Sequence, residues 1–95
     1  IYDPEGIKNF ESSELYQKFP EKFIISKTMQ SSVEHAQYVI VLTDWDEFKI
    51  EAYDLVFMNR GQMGHIFDYR NLYWKTKNHF ASVGIRYHGI GTSTY

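Results

Sequence analysis

"YVIVLTDWDEFK", residues 38–49, decides how this chain is read. Its first six residues, 38–43, are a continuous β-branched and aliphatic run. Such a run predicts a strand buried on both faces, as in a parallel sheet. Its second half turns abruptly polar at Asp44, so the strand ends against a rim of carboxylates and Trp45. "HIFDYRN", residues 65–71, repeats the pattern: a short apolar strand that runs straight into Asp68, Tyr69, Arg70 and Asn71.

Working outward, helices are expected between these strands. Residues 51–60 read as a helix with Ala52, Leu55 and Val56 inward and Gly61 as its stop. "NLYWKTKNHFASV", residues 71–83, reads as a second helix, with Leu72, Trp74 and Phe80 as core and Gly84 as stop. "IRYHGIG", residues 85–91, is the last predicted strand, with "GIGTSTY" as a tail running on from it. Upstream, "FIIS", residues 23–26, is a short β-rich run. "SSVEHAQ" carries a capping box, Ser31 three residues before Glu34, and should open a short helix. Residues 5–22 are mixed, with Ile7, Phe10, Leu15, Tyr16 and Phe19 on one face and Pro20 ending it. "IYDP" resembles a strand end, because proline lacks a donor and restricts its neighbour.

Strands alternating with helices predict right-handed crossovers and a mostly parallel sheet with helices on both faces. The expected fold is α/β: a Rossmann-like, three-layer α/β/α domain. In such sheets ligands bind beyond the carboxyl ends of the strands. "TDWDEF" and "DYRN" should therefore lie side by side on one rim.

Composition narrows the class. Ninety-five residues make one domain at most. A chain of this size buries about 60–65% of its unfolded surface. Eight Tyr, seven Phe and two Trp suit a compact core with polar-tipped rings at its edge. Cysteine is absent, so there is neither a disulfide framework nor a thiol nucleophile. This fits a reducing compartment such as the cytoplasm. No apolar run approaches the roughly 20 residues of a membrane span, and the first residues lack the pattern of a signal peptide. A net charge of −2 argues against nucleic acid as the main partner. Residues 1–54 hold eleven acids and five bases, whereas residues 55–95 hold one acid and five bases. The basic half, with Arg60, Arg70, Lys75, Lys77 and Arg86, favours an anionic ligand.

The motifs together resemble a known family. "IYDP", then "VIVLTDWDEFK", then "IFDYRN", then a terminal "GIG" resemble the C-terminal, UDP-binding domain of the UDP-glucose 6-dehydrogenases, within the nucleotide-sugar dehydrogenase superfamily. "TDWDEFK" is similar to that family's Thr-Glu-Trp-x-x-Phe-Lys, and "FDYRN" to its Phe-Asp-Gly-Arg-Asn. The resemblance implies a protein that oxidises the C6 hydroxyl of a UDP-sugar twice with two NAD, giving a UDP-uronic acid. It implies that NAD and the catalytic cysteine belong to other parts of the polypeptide, and that this domain supplies part of the UDP-sugar site. Arg70 stands at the position of the family's substrate-binding arginine. Asp68, Asn71 and Trp45 are the remaining candidate substrate-binding residues. The implied partners are a UDP-sugar, the rest of the dehydrogenase and a second copy in a homo-oligomer.

The chain also departs from the family. It has no G-x-G-x-x-G, its glycines being 6, 61, 64, 84, 89 and 91. The family's opening strand and helix, which precede the Tyr-Asp-Pro segment, have no counterpart, so residues 1–95 are expected to be an incomplete domain: a fragment of a longer protein or a degenerate copy. Tyr69 stands where the family often has glycine. The resemblance leaves open another nucleotide-sugar dehydrogenase, for GDP-mannose or UDP-N-acetylmannosamine, and a non-catalytic interaction module that binds a partner through its unfilled sheet.

Residue chemistry gives each candidate a second role. A guanidinium grips phosphate bidentately, but Arg70 is also spaced to pair with Asp68, two residues away on an extended chain. Asp68 suits a residue that orients Arg70 or caps the helix that starts at Asn71. Trp45 suits packing behind a strand. Asp44, Asp46 and Glu47 suit the start of a helical turn rather than a metal, and Lys49 a solvated helix. His35, His65, His79 and His88 lack metal-ligand spacing and have no nucleophile elbow beside them.

Overall fold

The alternating burial of one strand sets the architecture. In β1, Tyr38–Val41, Val39 and Val41 are buried whereas Tyr38 and Ile40 are 63% and 58% exposed. The apolar run is therefore covered on one side only, which corrects the expectation of burial on both faces. The computed structural model describes residues 1–89. The predicted tail beyond Gly89, with the last two residues of the predicted final strand, lies outside them.

The chain forms two compact units, Ile1–Ser32 and the remainder from Val33. The first is built from short helices. Asp3 Oδ1 accepts the amides of Glu5 and Gly6, each at 2.9 Å, and folds "DPEG" into a turn. A side chain at Gly6 would meet the Asp3 carboxylate at 2.7 Å, so the carboxylate would have to shift to admit one. Helix α1, Ile7–Glu11, and helix α2, Glu14–Lys18, follow, and Ser13 caps α2 by accepting from Tyr16. Pro20 opens a 3-10 turn, Pro20–Lys22. Phe10, Tyr16 and Phe23 gather their rings within 5.1 to 6.4 Å of one another. "FIIS" is not a regular strand; its Ser26 amide donates to Ile1 O at 2.8 Å, and the Ile1 amino group donates to Ile24 O at 2.7 Å. Helix α3 spans Met29–Val33, so it starts before the predicted cap. Thr28 takes the capping role, accepting the Ser31 amide at 3.1 Å.

The second unit is the α/β part. After β1 comes a 3-10 turn, Asp46–Phe48, then α4, Ala52–Asn59. Arg60 ends α4 in the left-handed region at φ 58°, and Gly61 continues there, so the stop begins one residue before the predicted glycine. Next is β2, His65–Asp68. The second predicted helix is broken into a 3-10 turn, Trp74–Thr76, and α5, Asn78–Ser82. The break turns Tyr73 into the core while Leu72 and Trp74 are only half-buried. Gly84, at φ 79°, turns the chain into β3, Arg86–Gly89.

Among the described residues the sheet has three parallel strands in the order β1-β2-β3. Val39, Ile66 and Tyr87 are aligned across it, as are Val41, Asp68 and Gly89. Both crossovers step the same way. Right-handed crossovers that step the same way carry their helices to the same side of a sheet. The burial agrees: Ile66, Asp68 and Tyr87 are closed off together with Ala52 and Leu55 of α4 and Phe80 of α5. Winding that never reverses covers one face, which is why the opposite row of β1 stays exposed. Asn59, fully buried on α4, holds the chain entering β1: its Nδ2 donates to Val33 O and Ala36 O, and its Oδ1 accepts the Met63 amide. No helix among the described residues is long and apolar enough to cross a membrane.

Candidate functional site

The carboxyl ends of β1 and β2 are joined into one rim by four cross-links. The Tyr69 amide donates to Val41 O at 3.0 Å. Arg70 Nη2 donates to Asp44 Oδ2 at 3.3 Å. Tyr73 Oη donates to Phe48 O at 2.8 Å. The Ala52 amide, at the start of α4, donates to Thr76 Oγ1 at 2.9 Å. "TDWDEF" and "DYRN" thus lie side by side.

Under this rim sits Asp68. Its carboxylate is fully buried and takes four donors: the amides of Arg70 (3.3 Å), Leu72 (3.1 Å) and Tyr73 (2.8 Å), and Tyr87 Oη (2.7 Å). A buried carboxylate is tolerated when hydrogen bonds replace its water. Three bonds come from the turn that follows β2, so Asp68 fixes the backbone that carries Arg70. It reaches a ligand only through that backbone. Its charge also acts on its neighbours: burial first, then Asp68, pushes the Tyr73 and Tyr87 phenols far above their ordinary range. Both stay protonated donors at any physiological pH.

The ion pair of Arg70 goes to Asp44, not to Asp68. Extended-chain spacing set Asp68 and Arg70 on one side, but Arg70 lies past the strand end, where the chain has turned and Asp68 points inward. Asp44, read from sequence only as a helix-start acid, is the residue that sequence reasoning missed. Parallel pairing of the two strand ends was the available signal. Both partners are about half exposed, so the guanidinium is accessible. Asn71 is exposed and adopts φ 54°, a conformation asparagine tolerates in turns. Trp45 is 37% exposed and opens the 3-10 turn, its carbonyl accepting the Phe48 amide. Asp46 pairs with Lys49 Nζ at 3.1 Å, and both are solvated. Tyr69 is exposed beside Arg70 in the chain.

The rim can therefore present one guanidinium, one amide and an indole from two adjacent strand ends, set on a rigid buried base. No group of three or more metal-ligating side chains occurs among the described residues. No family model, curated protein or solved structure matches the chain.

Proposed function

We propose that this chain is the UDP-sugar-binding, C-terminal domain of a cytoplasmic, NAD-dependent UDP-glucose 6-dehydrogenase, the enzyme that converts UDP-glucose to UDP-glucuronate. The observation that carries this reading is the contact between Arg70 and Asp44, which joins the two motif segments at the carboxyl ends of adjacent parallel strands. Ligands of parallel α/β sheets collect at such ends. An exposed ion pair contributes little, so a diphosphate can take Asp44's place on the guanidinium at small cost. Asn71 and Trp45 would flank the nucleotide, and Asp68 would hold the turn in place.

Hydride transfer would belong to the rest of the polypeptide. The glycines of this chain make no dinucleotide turn and it has no cysteine, so its residues fit neither NAD nor a thiol nucleophile. The reading also calls for a third layer over the exposed Tyr38, Ile40 and Leu42, completing an α/β/α domain.

The test is isothermal titration of UDP-glucose into the full polypeptide, with and without Arg70→Ala. A charged hydrogen bond of about 1.5–3 kcal/mol predicts a loss of affinity of about one to two decades. Unchanged affinity would remove Arg70 from the site. Competition between UDP and GDP separates the UDP-sugar reading from a GDP-mannose dehydrogenase.

A second reading, a non-catalytic interaction module, is favoured by the same exposed row on β1. There the cover would be a partner subunit. Light scattering separates the two: a monomer that binds UDP counts against the module.

A further inference from the structure

His65 and His88 have no motif spacing, yet parallel pairing makes them neighbours. His65 stands opposite Arg86 and His88 opposite Phe67 across β2 and β3, so the two histidines meet on the diagonal, on the face away from α4 and α5. His65 Nδ1 lies 3.0 Å from His88 Nε2. The two ring planes are 19° apart. Each ring is steadied by an aromatic neighbour: Tyr38 against His65 at 5.5 Å and 12°, and Phe67 against His88 at 4.4 Å and 7°.

Two nitrogens that each bind one metal ion at about 2.0–2.1 Å stand roughly 3 Å apart when the angle at the metal is near 90°. That is the adjacent-ligand angle of square-planar Cu(II) and Ni(II), whereas a tetrahedral centre needs a wider separation. We propose that His65 and His88 form a two-nitrogen site for a square-planar divalent metal, Cu(II) foremost, with water filling the remaining positions. On binding, the hydrogen bond between the rings breaks. The ring that donated it moves its proton to its other nitrogen, and each ring gives one lone pair to the metal. Changes in χ1 and χ2 of each histidine re-aim the two lone pairs from each other onto one point between the strands. Arg86 is the fixed cation on this face and opposes the incoming charge, which sets the affinity below that of a three-ligand centre. Because the ligands come from two strands, the metal clips β2 to β3 and stabilises the folded state by mass action.

The test is titration of copper(II) chloride into the full protein at neutral pH, followed by calorimetry and electron paramagnetic resonance. One ion per chain with two nitrogen ligands is expected, together with a rise in Tm. His65→Ala and His88→Ala should each weaken binding by about tenfold or more, because each removes the intramolecular second ligand. His35→Ala and His79→Ala should leave it unchanged. A one-nitrogen spectrum, or equal affinity in all four variants, overturns the site. His65→Gln, of similar polarity, repeats the test if an alanine variant does not fold.

Discussion

The two faces of one small sheet obey opposite rules. Toward α4 and α5, Val39, Val41, Ile66 and Tyr87 surround a buried carboxylate with every donor accounted for. On the other side, Tyr38 and Ile40 stand in solvent and the half-buried histidines bond to each other. Backbone and register are common to both. What differs is where the crossovers go, and therefore which row of side chains meets another layer. A side chain's contribution follows from the topology around it rather than from its own hydrophobicity.

The two faces differ most sharply at Asp68. Asp68→Ala leaves the Tyr73 amide and the Tyr87 phenol unpaired in the core, at about 1–3 kcal/mol for each orphaned donor, and also frees the half-buried amides of Arg70 and Leu72. That sum rivals the stability of a small domain. Loss of the cooperative urea transition is the expected result, and a transition like the wild type's would mean that the donors find other partners.

The next largest contrast is between neighbouring rows. Ile66→Ala should cost about 2–5 kcal/mol in urea unfolding, as for other fully buried aliphatics. Ile40→Ala, on the exposed row, should stay within about 0.5 kcal/mol. Equal costs would show that the exposed face is covered in solution.

Alkaline pH probes the covered face alone. Tyr73 and Tyr87 have folded pKa values above the ordinary tyrosine value near 10. Their contribution is fully present below that value. It is lost as pH rises past it, because the unfolded chain then releases protons that the folded chain keeps. The urea midpoint should fall between about pH 9 and 11, and less steeply in Tyr87→Phe. The smallest effect belongs to the rim. Arg70→Ala should shift stability by no more than about 1 kcal/mol, since its partner Asp44 is solvated. Ligand affinity and stability would thereby separate at this residue.

Much of this was legible in the sequence. Strand-to-polar transitions at Asp44 and Asp68 located the rim, and alternation of strands and helices gave parallel pairing. The covered layers were not legible. "YVIV" is apolar at every position, so periodicity could not say which side would be left open; only the strand order decides that. The break before α5 was hidden because Leu72, Tyr73 and Trp74 are all suitable core residues, and the turn held by Asp68 selects Tyr73. The histidine pair was hidden for a related reason. Its members are distant in sequence and meet only through register.

Asp68 also limits what evolution can write at its position. The site needs two acceptor oxygens on a short stem and no donor at all. Asparagine matches the shape but turns one acceptor into an N–H₂ group facing other N–H or O–H groups. Glutamate has the oxygens but carries them one methylene too far. Serine offers one oxygen where two are engaged, Oδ1 by the Arg70 and Leu72 amides and Oδ2 by the Tyr73 amide and the Tyr87 phenol. Aspartate is the residue that satisfies all three conditions, so a drifting copy of this chain should lose Arg70 long before it loses Asp68.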